Sequence, residues 1–305
     1  PITTRNTDLV AWEILDNYTG LQNVRGLGGQ FTRVKKVNEN RFTISPGYYG
    51  DSQSIDERDL TSLRQLGTWG DAIDAGQLVL RAQEQLIGRE IDRMVNIGWT
   101  LIAAGVFSVQ NLDGQVMETD QFPLQTSTFS TWSNLSTATP IQDLRAATLK
   151  ARGKGCYFDN RATAYMNQGT WNNFVNNANS SDMGNKLVIA GNTLGYTGES
   201  VIQSVLSMNG LPKVMVYDGG YLPDGGGAFI THIPDNKVVI VGYRPTGEPI
   251  AQFVQTRNAQ NPGSAPGPYD EVVQASDPPR TITVYRGVNY APEIDYPSNI
   301  LICNC

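Results

Sequence analysis

The sequence predicts an α+β protein. Apolar residues between positions 71 and 104 recur at intervals of three and four, which is the period of one face of a long helix. Strand-like segments rich in β-branched residues flank two turn sequences, Asp113-Gly114 and Pro234-Asp235-Asn236. Shorter helical patterns lie between those turns, so helices and strands are expected within one chain.

The N-terminal part is expected to be extended. Residues 1–28 mix short apolar patches with Asn, Thr and Gly and predict an arm, and residues 30–37 and 41–44 predict a hairpin around Asn38-Glu39-Asn40. This hairpin has few apolar residues, and an isolated two-stranded ribbon is marginally stable in water. We therefore expect a second surface to support it, elsewhere in the chain or on a neighbouring subunit. The alternative is an ordinary surface hairpin.

Residues 71–104 form the most regular helical pattern. At about 1.5 Å per residue such a helix extends roughly 50 Å, which is more than a compact globular domain usually needs. The alternative is a long helix of an ordinary α+β protein. The residues predicted to form its apolar face are Leu80, Ile87, Ile91, Met94, Val95, Gly98, Leu101 and Ile102.

The middle of the chain predicts a strand pair followed by three helices. Residues 106–110 and 115–119 should pair and start a sheet beneath the long helix. Thr139-Pro140-Ile141-Gln142 has the form of a capping box, with proline at the first helical position, and predicts a helix to about residue 152. Its expected apolar stripe is Ile141, Leu144 and Leu149. The other two helices are predicted over residues 162–177, with Tyr165, Trp171, Phe174 and Val175, and over residues 201–208.

The last third predicts strands and one long loop. Residues 228–233 and 237–241 should pair around their turn. Residues 245–270 are rich in Pro, Gly and Asn and predict a loop of unusual length, and such loops usually have a role or are mobile. Strand patterns return at residues 281–286 and 299–303.

Composition narrows the classes of function. The chain has 305 residues, a net charge of −6 and only 17% charged residues, which is below the usual quarter. So few charges fit a surface that is buried against partners or covered by neutral polar groups. Tight general binding to nucleic acid needs clustered Lys and Arg, so only weak, non-specific contact with DNA is expected.

The cysteines predict neither a disulfide framework nor a metal centre. Cys156, Cys303 and Cys305 are too few for the former, and His232 is the only histidine available to complete the latter. We expect buried or bystander thiols in a reducing cytoplasm. The sequence has neither a run of about 20 apolar residues nor an export signal, which predicts no membrane span and no export.

Catalytic interpretations are weaker than structural ones. His232 lies among strand-like neighbours, where a polar surface or interface position is favoured over a catalytic triad. The glycines around positions 219–227 lack the Gly-Lys-Ser/Thr ending and the following helix of a phosphate loop, so turns are favoured. Asp56, Glu57 and Asp59 could act as paired carboxylates in glycoside cleavage, but capping of a short helix is favoured. We expect no catalytic residue, no cofactor and no metal.

The chain resembles the phage major capsid proteins of the lambda type, the capsid E family. In that family a V-x-Y-x-G-x-Y segment leads to a hairpin of the form I/L-P-D-N-x-V-x-L/V-G and then to a C-terminal strand. The corresponding residues here are Val214, Tyr217, Gly219 and Tyr221, followed by Ile233, Pro234, Asp235, Asn236, Val238 and Gly242. Further upstream, agreement in order and type extends to Trp132, Pro140, Asp143, Leu144, Trp171 and Phe174.

This resemblance covers most of residues 25–305 and implies the Hong Kong 97 capsid fold. It implies an N-terminal arm over 1–28, an extended-loop hairpin over 29–70 and a peripheral domain with the spine helix over 71–135. An axial domain over 136–244 would follow, and residues 245–305 would be a long loop and C-terminal strands returning to both domains.

The resemblance also implies a function. The chain would be the major capsid protein of a tailed double-stranded DNA phage, assembled in the host cytoplasm into the hexamers and pentamers of an icosahedral head. Implied partners are further copies of itself, a scaffolding protein, a portal and, in some relatives, a decoration protein. In the family the extended loop lies over the adjacent subunit. The candidate contact residues are Phe31, Arg33, Lys35, Lys36 and Arg41.

Two other classes remain open from the sequence. One is a secreted glycan-binding or glycan-cleaving protein, supported by abundant Asn, Gly, Tyr and Trp and by the acidic cluster at positions 56–59. It would be a monomer of 33.3 kDa with a cleft lined by carboxylates. The other is a bacterial compartment shell protein of the same fold, which would enclose protein instead of DNA.

Overall fold

The computed structural model describes residues 1–15, 21–25, 27–31, 33, 39–62, 74–110, 116–178, 180, 199–223, 226–275, 277 and 279–305. The chain divides into two compact units. Unit 1 consists of Pro1–Ala11, Thr43–Gly98 and Gln252–Glu293. Unit 2 consists of Trp12–Phe42, Trp99–Ala251 and Ile294–Cys305.

Helices and strands alternate irregularly along the chain, as expected for the α+β class. The helices are α1 (Glu57–Ser62), α2 (Ala75–Ala104), α3 (Pro140–Leu149), α4 (Gln168–Asn176) and α5 (Glu199–Met208). The strands are β1 (Ile2–Thr4), β2 (Val10–Leu15), β3 (Glu39–Ile44), β4 (Gly47–Ile55), β5 (Val106–Gln110), β6 (Val116–Gln121), β7 (Gln125–Thr128), β8 (Thr163–Met166), β9 (Lys213–Val216), β10 (Gly220–Tyr221), β11 (Ile230–Thr231), β12 (Lys237–Val241), β13 (Ala251–Gln255), β14 (Tyr269–Gln274), β15 (Ile282–Ile294) and β16 (Ile300–Asn304).

Unit 1 is built on a five-stranded sheet around the long strand β15. The order is β1-β13-β15-β14, and β4 also pairs with β15. The pairing of β1 with β13 is parallel, whereas β4 and β14 run antiparallel to β15. Leu78, Ala82 and Leu86 of helix α2 form one apolar cluster with Ile282 and Val284 of β15, together with Ile55 of β4.

The long helix is present as predicted, from Ala75 to Ala104, but its predicted apolar face is partly wrong. Residues 71–73 lie outside the described residues. Leu101 is buried as expected, whereas Leu80, Ile87, Ile91 and Val95 are exposed. The helix carries apolar residues on two sides, and β15 covers the side that carries the row of Leu78, Ala82 and Leu86.

Ion pairs link helix α2 to the sheet of unit 1. Arg286 of β15 donates to Glu90 of α2 at 2.5 Å and to Asp270 of β14 at 2.7 Å. Arg286 and Glu90 are both largely buried, with side chains 15% and 14% exposed. Burial opposes the charged form, but the hydrogen bonds to Asp270 and Glu90 outweigh it and raise the pKa of Arg286. A second ion pair joins Arg89 to Asp51 at 2.8 Å.

The N-terminal residues belong to the sheet of unit 1. Strand β1 pairs with β13, and Arg5 forms an ion pair of 2.7 Å with Glu293, which is 3% exposed. The prediction of a continuous loop over residues 245–270 is therefore wrong, because β13 lies within it. The strand was missed because it has only five residues, and neighbouring strands on both sides supply its pairing.

Unit 2 is built on a second five-stranded sheet, in the order β7-β16-β12-β8-β9. β12 runs antiparallel to both β16 and β8, and the outer strands β7 and β9 run parallel to their neighbours. Val238, Val239 and Ile240 of β12 are fully buried. The core against this sheet contains Trp132 and Phe174, so the predicted helix-and-sheet unit is present.

The predicted pairing of residues 228–233 with residues 237–241 is wrong. β11 pairs with β10, whereas β12 pairs with β16 and β8. The turn between β11 and β12 is present, and Asn236 adopts a left-handed φ of 58° there. The strands on either side of the turn do not pair with each other, because β12 pairs over more residues with β16 and β8 in the second sheet. A pattern of adjacent strands cannot show such non-local pairing.

Three further helix and strand predictions were partly correct. β5 and β6 pair as predicted, although their turn at Asp113-Gly114 lies outside the described residues. Residues 163–166 form β8 instead of the first turn of a helix, and α4 starts only at Gln168. Asn167 caps α4 by accepting from the Thr170 N–H at 2.8 Å, which separates the strand from the helix. Helix α5 covers the predicted 201–208 segment.

Helix α3 begins at Pro140 as predicted but ends at Leu149, and its capping box is not formed. The Thr139 side chain makes no capping hydrogen bond. Ile141 and Leu144 are buried, whereas Leu149 is exposed, so the predicted stripe is only partly correct. β3 pairs with β2, and its predicted partner, residues 30–37, lies largely outside the described residues.

Candidate subunit-contact surfaces

The five predicted contact residues are exposed wherever the structure describes them. Phe31 is 83% exposed, and the Arg25 guanidinium lies over its ring at 4.2 Å from the centroid. Arg33 and Arg41 are exposed as well, with Arg41 on β3. Lys35 and Lys36 lie outside the described residues. The structure thus brings Phe31 together with Arg25, a residue that the sequence analysis did not select.

Three more apolar side chains near Phe31 are almost fully exposed. Leu21 is 96% exposed, Val24 is 98% exposed and Leu27 is completely exposed. We call the described residues 21–25 and 27–31 the arm segment. Several large apolar side chains exposed within one short segment make that segment a candidate interaction site. Sequence reasoning missed these three because Gln, Asn, Arg and Gly separate them, although their spacing of three residues could have indicated a common face.

Helix α2 carries a second exposed apolar surface. Leu80, Ile87, Ile91 and Val95 are between 38% and 60% exposed and follow one another at intervals of seven, four and four residues. This spacing places them on one side of a helix. Glu84 lies on the same side, one turn after Leu80, and is exposed. We call these five positions the α2 stripe.

A third exposed surface lies on the ribbon formed by β10 and β11. Leu222, Phe229 and Ile230 are exposed there. The ribbon requires Gly220, because a Cβ at that position would lie 2.1 Å from the Ile230 carbonyl oxygen. Leu222 and Phe229 lie on either side of Gly226 and Gly227, which both have positive φ, so these two glycines fit the predicted turn.

Aromatic side chains hold this ribbon on unit 2. Trp99 stacks on Tyr217 with ring centroids 4.3 Å apart, and the ring of His232 lies about equally far from Tyr217 and Tyr221, at 6.1 and 6.0 Å. The His232 N–H also donates to the Gly219 carbonyl at 2.9 Å. His232 is half-buried among these rings, and this packing fits a structural role.

Hydrogen bonds connect the Pro234-Asp235-Asn236 turn to helix α4 and to Cys305. The Asn167 side chain donates to Asp235 at 2.5 Å and to the Ile233 carbonyl at 3.3 Å. The Asn236 N–H donates to the Thr170 hydroxyl at 3.0 Å, and the Asn236 carbonyl accepts from the N–H of Cys305 at 2.9 Å. The turn that carries the family motif is therefore a structural junction.

The three thiols and the acidic residues at positions 56–59 occupy structural positions. Cys156 and Cys303 are buried and Cys305 partly so, all three as free thiols. Burial raises the pKa of each, to about 12 for Cys305, which keeps them protonated and unreactive near neutral pH. The N–H of Asp56 donates to the Asp59 carboxylate at 3.3 Å at the start of α1, which confirms the capping role of the acidic cluster.

Among the described residues, no three His, Cys, Asp or Glu side chains are grouped so that they could hold a metal ion. In the same part of the chain, no helix combines the length and the apolar character needed to cross a bilayer.

The fold is shared with solved phage capsid proteins. A prophage protein of Escherichia coli CFT073 described as a capsid protein aligns with a TM-score of 0.57 at 14% identity, over 88% of this chain and 79% of the other. A phage-related protein of Bordetella bronchiseptica RB50 aligns with a TM-score of 0.57 at 10% identity, over 100% and 89% of the two chains. The capsid of cyanophage P-SCSP1u aligns with a TM-score of 0.53 at 8% identity, over 99% and 85%. The class of the fold is thus the Hong Kong 97-like capsid fold.

The family follows from the sequence. Residues 3–257 match the family described as phage major capsid protein E, so the chain belongs to that family. No curated protein sequence matches the chain. The family consists of structural proteins of the virion shell, and the predicted resemblance is confirmed. The secreted glycan-active protein is accordingly not retained as an interpretation.

Proposed function

We propose that this chain forms the hexamers and pentamers of an icosahedral head that encloses the double-stranded DNA of a tailed phage. The observation that carries this proposal is the exposure of apolar side chains on a single chain of a capsid family, above all at Leu21, Val24, Leu27 and Phe31. Such side chains gain stability when a neighbouring copy covers them. In a closed symmetric shell each contact is repeated many times, so contacts that are individually weak together stabilise the assembly.

The proposal also assigns a role to each predicted part of the chain. Residues 1–28 would act as an arm, 29–70 as the extended loop, 71–135 and 136–244 as peripheral and axial domains, and 245–305 as the returning C-terminal part. Within the extended loop, Phe31, Arg33, Lys35, Lys36 and Arg41 would contact the adjacent subunit.

Further partners belong to the same proposal. Assembly in the host cytoplasm would need a scaffolding protein and a portal, and a decoration protein could bind the finished head. The net charge of −6 supports only weak, non-specific contact with the packaged DNA. The chain would act without catalysis, cofactor or membrane, because geometry and buried surface suffice for building a shell.

Assembly of the purified chain with its scaffolding protein tests the proposal. Size-exclusion chromatography and electron microscopy should show capsomers and closed particles, and a monomer of 33.3 kDa under all conditions would contradict it. A variant with Phe31→Ala, Lys35→Ala and Lys36→Ala should lose particle yield while its circular dichroism stays unchanged. The matched control replaces Leu149, Met208 and Gln142, which are exposed on helices of unit 2, by alanine and should assemble normally.

A further inference from the structure

Positive charge is concentrated in one short part of the chain. Residues 145–161 hold five of the 23 basic side chains and only one acidic side chain, which gives this segment a net charge of +4. The remaining 18 basic and 28 acidic side chains give the rest of the chain a net charge of −10. Such an asymmetry is typical of a surface that meets a polyanion. The basic residues of the segment are Arg145, Lys150, Arg152, Lys154 and Arg161.

All five basic residues are exposed, and all belong to unit 2. Within the described part of the chain, the side chains of Lys150 and Arg152 form no hydrogen bond and no ion pair. Lys154 donates to the side-chain oxygen of Gln125 at 2.6 Å, a neutral acceptor that leaves the charge of the lysine in place. The turn over residues 150–155 therefore presents positive charge to the solvent.

Two glycines keep the backbone of this turn open. Gly153 and Gly155 adopt left-handed φ angles of 76° and 66° and alternate with Arg152 and Lys154. A Cβ at Gly153 would meet no atom within 4 Å, so neither a side chain nor a neighbouring element covers this position. A ligand can therefore approach the backbone closely while two long cationic side chains reach it from either side.

An aromatic pair lies beside the turn. The backbones of Tyr157 and Tyr243 are joined by hydrogen bonds of 3.1 and 3.2 Å, and their rings stack with centroids 5.6 Å apart. The guanidinium of Arg161 lies over the Tyr243 ring at 4.0 Å and is paired with Asp159 at 2.7 Å, which fixes its position. We call Lys150, Arg152 and Lys154, with Tyr157 and Arg161 beside them, the basic patch.

The end of helix α3 explains only part of the basic patch. The C-terminus of a helix attracts cations, but this effect falls off within about one turn. Helix α3 ends at Leu149, so its dipole accounts for Lys150 and at most Arg152. Lys154 follows the end of the helix by five residues, and Arg161 follows it by twelve. The excess of positive charge therefore has a further cause.

We propose that the basic patch is the surface through which the shell contacts the phosphates of the double-stranded DNA that it encloses. This inference rests on the proposed function, because that function supplies DNA at high concentration beside every subunit. The net charge of −10 on the rest of the chain repels DNA, so phosphates approach most easily at the basic patch. Double-stranded DNA carries one negative charge per about 1.7 Å of its axis, so even a small patch can contact several phosphates.

Few cations per chain give weak, sequence-independent binding, which agrees with the low overall charge. Repetition of the same patch over many subunits then strengthens the contact with one continuous DNA molecule. An acidic protein segment is the alternative occupant of the patch. It offers a lower density of negative charge than DNA does, and the experiment below separates the two.

The salt dependence of DNA binding tests the proposal on the unassembled protein. Fluorescence anisotropy of a labelled DNA duplex of mixed sequence gives the binding constant between about 20 and 200 mM salt. Lys150→Gln combined with Arg152→Gln should weaken binding about tenfold at low salt. It should also reduce the slope of log K against log salt by about 1.8, at about 0.9 per phosphate contact. Each single variant should reduce the slope by about 0.9.

Two matched controls accompany this variant. Lys150→Arg combined with Arg152→Lys keeps both charges and should bind DNA as the wild type does. Arg58→Gln combined with Arg280→Gln removes the same charge from exposed residues of unit 1 and should leave the slope unchanged. Circular dichroism and the melting temperature show whether each variant is folded, and the single variants keep the test valid if the double variant is not.

Equal slopes for the wild type and the Lys150→Gln, Arg152→Gln variant would overturn the inference, and so would an equal fall in the unit 1 control. Lower particle yield with unchanged DNA binding would also overturn it, because the patch would then contact an acidic protein. The capsid function is judged separately, by electron microscopy of wild-type particles. Absence of those particles would overturn that function, whereas the slopes are measured on unassembled protein.

Discussion

Trp132 donates its indole N–H to the carboxylate of Asp143 at 2.9 Å, at the start of helix α3. The same carboxylate oxygen accepts from the Ser130 N–H at 3.1 Å and from the Ser130 hydroxyl at 2.5 Å. The Ser130 hydroxyl in turn accepts from the Thr139 N–H at 3.1 Å. Asp143 therefore closes the loop before α3 onto the first turn of the helix, where Trp132 is fully buried.

Replacement of Asp143 by Ala should destabilise the chain by about 2 to 3 kcal/mol, because it leaves the buried Trp132 N–H without its charged acceptor. Urea unfolding of the unassembled protein, followed by tryptophan fluorescence, measures the change. Gln142→Ala, one residue earlier on the same helix and exposed, is the matched control and should change stability by less than about 0.5 kcal/mol. Equal losses in both variants would refute the role of Asp143.

Asn236 should tolerate Gly but not Ala. Its φ of 58° lies in the left-handed region, which costs an ordinary side chain about 1 to 2 kcal/mol and Asn less. Its backbone N–H and carbonyl both form hydrogen bonds, and all three residue types keep these two groups. We expect Asn236→Ala to lower the melting temperature of the unassembled protein and Asn236→Gly to leave it nearly unchanged. A lower melting temperature for the Gly variant than for the Ala variant would contradict this explanation.

Local patterns were sufficient to predict the existence of the long helix but not which face is buried. Leu78, Ala82 and Leu86 repeat every four residues, and Leu80 and Ile87 lie on another side with equal apolar character. The choice between the two faces is made by Ile282 and its neighbours on β15, about 200 residues later. The spacing of apolar residues within the helix therefore cannot show which of its faces is buried.

Strand pairing was missed for a similar reason. The alternation of Thr163 to Met166 is too short to separate a strand from a helix, and β8 is fixed by β12 and β9, which are distant in sequence. For the candidate site, the family resemblance was enough to select Phe31, whereas Leu21 and Val24 were recognised only by their exposure in the structure. Exposure of an apolar residue cannot be read from its type, since most residues of that type are buried.

The ion pair between Arg286 and Glu90 should stabilise the packing of α2 on its sheet. Glu90→Gln removes one carboxylate from a largely buried guanidinium that still keeps Asp270, so we expect a loss of about 1 to 2 kcal/mol in the free energy of unfolding. Glu84→Gln, on the exposed side of the same helix, is the control for the loss of one negative charge. It should have little effect on the unassembled protein. If both variants unfolded at the same urea concentration, the buried pair would contribute nothing measurable.

Tyr49 should make stability depend on alkaline pH. Its ring stacks on that of Tyr290 with centroids 4.8 Å apart, and its hydroxyl is buried without a hydrogen-bond partner among the described residues. Burial raises the pKa of Tyr49 to about 12, partly offset by the charge of Arg93. Because the folded-state pKa lies above the unfolded value of 10.0, the contribution of the neutral phenol is complete below pH 10. It is then lost as the pH rises from 10 to about 12.

Tyr49→Phe cannot ionise and should therefore lose less stability than the wild-type protein over this range. The expected difference between them is about 2 kcal/mol by pH 12, at about 1.4 kcal/mol per pKa unit. At pH 8 the variant should be as stable as the wild type or slightly more stable, since it removes an unsatisfied hydroxyl. Urea unfolding at pH 8, 10 and 12 measures both effects, with Tyr48→Phe as the control because the adjacent Tyr48 is 71% exposed. If the free energies of unfolding of all three proteins changed with pH in the same way, Tyr49 would ionise in the folded state as it does in the unfolded chain. The explanation from burial would then be wrong.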